Sequence, residues 1–157
     1  MIQLEALTLG YGQQILLDHV SANLDGGGLI ALLGRNGSGK STLLRATAGL
    51  GTIKSGRILL AGKDLAELRP EELARTVSFV TTEKVRIPNL KCRDVVALGR
   101  APYTNWVGRL QPQDREIVAK SLALLDMSAY AERTMDQMSD GECQRIMICL
   151  LYTSDAA

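Results

Sequence analysis

Apolar and polar residues alternate in two stretches near the start of the chain. Ile2, Leu4 and Ala6 are separated by Gln3 and Glu5, and Val20, Ala22 and Leu24 by Ser21 and Asn23. A period of two belongs to a strand with one covered face, so both stretches are predicted to be antiparallel strands. Gly10-Tyr11-Gly12 breaks the first from the second, and Asp25-Gly26-Gly27-Gly28 turns the second into a further apolar segment. That segment, residues 29–33, Leu-Ile-Ala-Leu-Leu, is a continuous apolar run, the pattern of a parallel strand buried on both faces. Beyond it Leu43, Leu44 and Thr47 fall with Lys40 at spacings of three and four, which predicts a helix closed by Gly49 in a left-handed cap.

The pattern continues with a short strand between Gly56 and Gly62, and with Pro70-Glu71-Glu72 opening a brief helix whose acidic residues sit at its positive end. Residues 77–80, Val-Ser-Phe-Val, read as the next strand. From Leu90 the period becomes helical: Val95, Val96 and Leu98 precede Gly99, and Ile117, Val118, Leu122 and Leu125 share a face after Pro112. Between them the loop over 100–111 carries Pro102, Tyr103, Trp106 and Gly108. Its large aromatics either pack locally or meet a partner.

Composition narrows the class. The chain has 157 residues, 46% hydrophobic and 22% charged, which suits a folded globular domain and excludes a disordered one. Its apolar runs fall far short of the roughly 18 residues that a membrane span needs, and its first residues lack the basic start and apolar centre of a signal peptide. A cytosolic protein is expected. A net charge of +1 gives no field that would draw nucleic acid or anionic lipid. Cys92, Cys143 and Cys149 show no paired zinc or redox spacing and read as reduced thiols. His19, the only histidine, lies in a predicted strand and reads as a surface or edge residue.

The chemistry concentrates in Gly34-Arg35-Asn36-Gly37-Ser38-Gly39-Lys40-Ser41-Thr42, which fits the pattern of a phosphate-binding loop between a strand and a helix. A triphosphate must exchange water for equally good partners. Successive backbone N–H groups at Gly34, Gly37 and Gly39 supply them without side-chain obstruction. The helix N-terminus adds its own N–H groups, the Lys40 ammonium can reach the β- and γ-phosphates, and Ser41 can offer its hydroxyl to Mg²⁺. A chance match in a chain of this length is on the order of one in a hundred. Tyr11 has two readings, as cover for a sheet edge or as a ring that stacks on a base. Near the end, Ser139 followed by Glu142 ahead of an apolar run forms a capping box.

With these segments in this order, the chain from about Ile2 to Ile148 resembles the ATP-binding subunits of ABC transporters. The octet Met138-Ser139-Asp140-Gly141-Glu142-Cys143-Gln144-Arg145 is similar to that family's signature motif, with Met138, Asp140 and Glu142 as departures. An Asp-Gly-Glu signature and the run Val95-Val96-Ala97-Leu98-Gly99-Arg100-Ala101-Pro102-Tyr103 resemble importer ATPases for iron siderophores, haem and cobalamin. The resemblance implies an α/β fold: a P-loop NTPase core with an antiparallel β subdomain and a helical subdomain over about 88–140, incomplete at the C-terminus. It implies that Tyr11 stacks on adenine, and that Asn36, Ser38 and Thr42 join Lys40 and Ser41 around ATP and Mg²⁺. It further implies a second ATPase subunit, expected to be a copy of this one. The partner's nucleotide would then meet Ser139, Gly141 and Glu142. Transmembrane permease subunits would hold the protein at the inner face of the cell membrane, with no direct contact to nucleic acid.

Two features depart from that family. Thr82 stands where a Gln senses the γ-phosphate through Mg²⁺, and a threonine hydroxyl has a shorter reach. The Walker B strand, its catalytic Glu and the switch His should follow Ile148, and the chain contains none of them. By the family's strand order, two of the missing strands would lie between residues 29–33 and 77–80. Residues 149–157 change abruptly in periodicity and composition and resemble the translation of a transposase adapter used to prepare DNA libraries, so they read as a non-native tail, the alternative being a genuine short tail. One rival reading is an ABC-type ATPase acting on nucleic acid or ribosomes. The Trp106 loop and near-neutral charge speak against it, and a second phosphate loop in the full gene would favour it. Another is an inactive gene fragment.

Overall fold

The computed structural model describes residues 1–81, 88–104 and 109–154. The chain divides into two units, Met1–Val77 and Ser78–Ala157.

The first unit is built on one antiparallel sheet. Its strands are β1 (Ile2–Tyr11), β2 (Gln14–Leu24), β3 (Ile53–Leu60) and the short β4 (Lys63–Asp64), in the order β2-β1-β3-β4. The predicted β1–β2 hairpin is present, with Ile2 opposite Leu24 and Tyr11 opposite Gln14. Its phase differs from simple alternation. Ala6 is exposed at φ 44°, and Leu7 joins Leu4 and Leu9 in the core. Pairing is irregular here on both sides of β1, between Leu4 and Leu7 against β2 and between Glu5 and Thr8 against β3. A bulge of this kind inserts one residue and moves the following side chains to the other face. Gly56 of β3 accommodates it: its φ is +78°, and a Cβ there would lie 2.3 Å from the Ala6 carbonyl oxygen. Only glycine fits.

Against this sheet lies α1 (Lys40–Thr47), which contributes Ala46 to a core of Leu4, Leu7, Leu9, Ile58 and Leu60. Its C-terminus closes as predicted. The Gly49 N–H donates to the Ala46 carbonyl at 3.0 Å and the Leu50 N–H to the Arg45 carbonyl at 2.8 Å, the paired bonds of a Schellman cap. The predicted brief helix is α2 (Pro70–Thr76), with Pro70 at its first position.

Two predicted strands are not strands. Residues 29–33 have no regular structure, and Leu29 is 100% and Leu33 88% exposed. A parallel strand exists only by pairing, and among the described residues no strand bonds to this run. Residues 77–80 likewise lack strand pairing, although Val77 packs against the core of the first unit.

The second unit is helical: α3 (Cys92–Ala97), α4 (Pro112–Leu124) and α5 (Asp140–Ser154), joined by short 3-10 turns. The predicted apolar faces meet in its core, where Val95 and Val96 pack with Val118, Leu122 and Ile146 and with the sulfur side chains Cys92, Met127, Met135, Met138 and Cys149. Leu98 is exposed, because the chain tightens into a 3-10 turn over Leu98–Tyr103 and rotates it off the shared face. The three cysteines are unbridged thiols, and burial pushes those of Cys92 and Cys149 up. Beyond Ile148 the helical period does not break as expected. Ile146, Cys149 and Thr153 follow at spacings of three and four and are all buried. Thr153 Oγ1 donates to the Val96 carbonyl at 3.0 Å.

A buried ion pair ties this unit together. Arg100 Nε donates to Asp114 Oδ1 at 3.0 Å and Arg100 Nη1 to the Thr153 carbonyl at 3.0 Å, while Asp114 Oδ2 accepts the Gln111 N–H at 2.8 Å. Of the loop aromatics, Tyr103 packs locally: its hydroxyl donates to the Ser154 carbonyl at 2.8 Å and its ring lies 4.1 Å from the Arg100 guanidinium carbon. Trp106 lies outside the described residues. The Gln111 N–H, and after it Arg100, hold the Asp114 carboxyl below the usual carboxylate range against the opposing effect of burial. A depressed carboxylate stabilises the fold fully above its unfolded pKa of about 3.9, and that contribution is lost as pH falls through the lower folded value. Urea unfolding of the full-length protein should therefore show a stability loss below about pH 4 that Asp114→Asn flattens. Asp114→Ala, which strands a buried guanidinium, should cost about 3 kcal/mol at neutral pH. An unchanged urea midpoint would remove the pair from the stabilising set.

Candidate nucleotide site

The phosphate loop is folded as its sequence demands. Gly37 and Gly39 have φ of +81° and +87°, and Gly39 is the residue from which α1 departs. A Cβ on Gly34 would approach Ser38 Oγ to 2.9 Å, and one on Gly39 would approach the Leu17 side chain to 3.2 Å. Gly37 and Gly39 thus stand in the left-handed region that disfavours side chains, and at Gly39 the space is also taken. The Lys40 ammonium donates to the carbonyls of Gly34 at 2.8 Å and Arg35 at 2.7 Å, which holds it over the loop it would share with a phosphate. Ser38 N–H donates to the Arg35 carbonyl at 3.2 Å. Asn36, Ser38 and Ser41 are exposed, and Thr42 is half-buried at the next position of α1.

These residues suit a nucleotide polyphosphate. Left-handed glycines leave N–H groups free of side-chain obstruction, one ammonium sits among them, and the first turn of α1 supplies further donors. The hydroxyl of Ser41, adjacent to Lys40, is the donor that a Mg²⁺ travelling with the phosphates would take. Thr82, the other expected metal contact, lies outside the described residues.

Tyr11 ends β1 and is 64% exposed. It borders a cavity of about 520 Å³ with Gly10, Gly12, Thr42, Arg45, Thr52 and Lys54. The structure therefore brings Tyr11 beside the loop helix, to which Thr42 belongs. Sequence reasoning missed Arg45, Thr52 and Lys54, because no spacing links them to the loop and their types are ordinary for a surface. His19 lies exposed in β2 with its Nδ1 2.7 Å from Asp18 Oδ1.

Ser139, Gly141 and Glu142 belong to the other unit, at the start of α5. The capping box is formed: the Ser139 N–H donates to Glu142 Oε2 at 2.8 Å, its hydroxyl donates to the same oxygen at 2.7 Å, and the Glu142 N–H donates to Ser139 Oγ at 3.3 Å. The hydroxyl, followed by the backbone N–H of Ser139, holds the Glu142 carboxyl below its ordinary range. Gly141 is exposed with open space beside its Cα, which leaves this helix start accessible.

Comparison with known proteins agrees with this geometry. The family model described as ABC transporter matches residues 17–157. An ABC transporter ATP-binding protein of Methanocaldococcus jannaschii is 38% identical over 94% of this chain and 51% of its own length. The achromobactin transport ATP-binding protein of Dickeya dadantii is 33% identical over 95% of this chain and 55% of its own. The ferric enterobactin transport ATP-binding protein of Escherichia coli is 29% identical over 98% and 56%. The chain thus spans about half the length of these relatives. Among solved structures, a dimeric bacterial ABC transporter cassette aligns with a TM-score of 0.83 at 24% identity, over 99% of this chain and 70% of that one. An ATP-binding cassette dimer bound to ADP and phosphate aligns with a TM-score of 0.81 at 23% identity over 99% and 70%. Both show the cassette fold. Phosphate loop, capped signature segment, fold and family match converge: the chain belongs to the ABC transporter family of ATP-binding proteins.

Proposed function

We propose that the full-length protein is the ATP-binding subunit of an importer for iron-siderophore, haem or cobalamin, working as a homodimer on transmembrane permease subunits. The observation that carries the ATP reading is the Lys40 ammonium held over left-handed glycines at the start of α1. The substrate class rests on the Asp140-Gly141-Glu142 signature and on relatives named for achromobactin and ferric enterobactin transport. Those relatives favour import over action on nucleic acid or ribosomes. In this reading Asn36, Ser38, Lys40, Ser41 and Thr42 hold the phosphates and Mg²⁺, and Tyr11 stacks on the base. Ser139, Gly141 and Glu142 serve the nucleotide of the second subunit. For Ser139 that requires its hydroxyl to leave Glu142 for a phosphate oxygen. ATP closes the dimer, the permease is rearranged, and hydrolysis reopens it, so binding energy does the mechanical work. No helix among the described residues is long and apolar enough to cross a membrane. The permease would bring the protein to the membrane's inner face, with Thr82 and the loop of Tyr103 and Trp106 facing it.

The test is reconstitution of the full-length protein with its permease in vesicles. ATP-driven uptake of a ferric siderophore, haem or cobalamin is expected. ATP hydrolysis with no uptake of any of the three would overturn the substrate class and leave the ATPase reading standing.

A further inference from the structure

The β1–β2 turn that carries Tyr11 has an unusual support. Tyr11 and Gln14 form the last pair of the hairpin, and beyond them the chain reverses through Gly12, at φ +53°. A largely exposed ring at a hairpin tip has little packing to fix it. The support comes from a residue far away in sequence: Lys54, next to the Ile53 that pairs with Leu9, donates its ammonium to the Gly12 carbonyl. Charge-assisted bonds to a carbonyl are among the stronger polar contacts, and this one fixes the turn from the neighbouring strand. Lys54 and Tyr11 also line the same cavity, together with Thr42 of the loop helix.

We infer that Lys54 is a positioning residue for base recognition: by holding the Gly12 carbonyl it sets the place of the Tyr11 ring before nucleotide arrives. The inference rests on the reading of Tyr11 as a base-stacking residue. Its physical content is preorganisation, since a ring already in place loses less freedom when a base stacks on it. Lys54 then acts on the base-dependent part of affinity and leaves the phosphate-dependent part alone.

Calorimetric titration of the full-length protein with ATP and with inorganic triphosphate separates those two parts. Lys54→Met should weaken ATP roughly fivefold and leave triphosphate affinity unchanged, whereas Lys54→Arg should keep most of the wild-type value. In a Tyr11→Ala background, Lys54→Met should have no further effect, because the ring it positions is gone. Unchanged ATP affinity in Lys54→Met overturns the inference. So does an equal loss for triphosphate, which would make Lys54 a phosphate contact, and so does full additivity with Tyr11→Ala. If Tyr11→Ala alone leaves ATP affinity intact, the stacking role fails and this inference with it. Failure of the wild-type protein to bind ATP would strike the proposed function itself.

Discussion

Lys40→Ala in the full-length protein should abolish measurable ATP binding. The Lys40 ammonium bonds the carbonyls of Gly34 and Arg35, so it is held at the mouth of the loop and gives up one of these bonds to make two to phosphate. Each charge-assisted bond to the β- or γ-phosphate contributes roughly 1.5 to 3 kcal/mol. Two such bonds amount to about 3 to 6 kcal/mol, or roughly two to four orders of magnitude in affinity. The loop's backbone donors and the helix dipole, worth about 0.3 to 1 kcal/mol, are too weak to replace that countercharge. The same substitution releases the loop carbonyls, which adds to the loss. Titration calorimetry with Mg-ATP decides the matter, and an affinity equal to wild type would remove Lys40 from the site.

Residues 1–157 expressed alone should aggregate or stay molten and show no ATPase activity. The reason lies in residues 29–33, where Leu29, Ile30, Leu32 and Leu33 are all exposed and no described strand pairs with them. The resemblance to ABC ATP-binding subunits implies that two further strands would lie between this run and residues 77–80. Each Leu or Ile side chain left in water forfeits roughly 1.5 to 3 kcal/mol of burial, against a total stability of about 5 to 15 kcal/mol. A few such groups are enough to tip the balance. Hydrolysis should fail as well, because the loop over residues 34–42 is entered from that unpaired run. A soluble monomer with a sharp, cooperative melting transition, or Mg²⁺-dependent hydrolysis by the purified chain, would refute this expectation.

The elements most legible in the sequence are those whose stability is local or nearly so. The β1–β2 hairpin, the Gly49 cap of α1, Pro70 and Pro112 at helix starts, and the Ser139–Glu142 box all stand where their patterns place them. Each is decided by residues within a turn or a hairpin. The bulge at Ala6 is not legible, because its cause, Gly56, lies on another strand and leaves no mark on the alternation of β1 itself. Residues 29–33 mislead for a related reason: an apolar run reports that a strand wants two neighbours, and says nothing of whether they are present. The Arg100–Asp114 pair and the Lys54–Gly12 bond join residues with no periodic relation. At the candidate site the turns of the loop at Gly37 and Gly39 follow from its sequence, while Arg45, Thr52 and Lys54 beside Tyr11 do not. Thr82 and Trp106 lie outside the described residues.

The sulfur atoms in the helical core give the second unit an internal clock. Cys92 and Cys149 are fully enclosed among methionines and valines, and Cys143 is only partly covered. Alkylating reagents attack thiolates, so an enclosed thiol with a raised pKa reacts only during moments when its surroundings open. Cys143, in the first turn of the helix that begins at the signature segment, samples the opening of that helix start first. The order in which the three thiols take up label therefore records how far the unit opens, in the wild-type sequence and with no engineered probe.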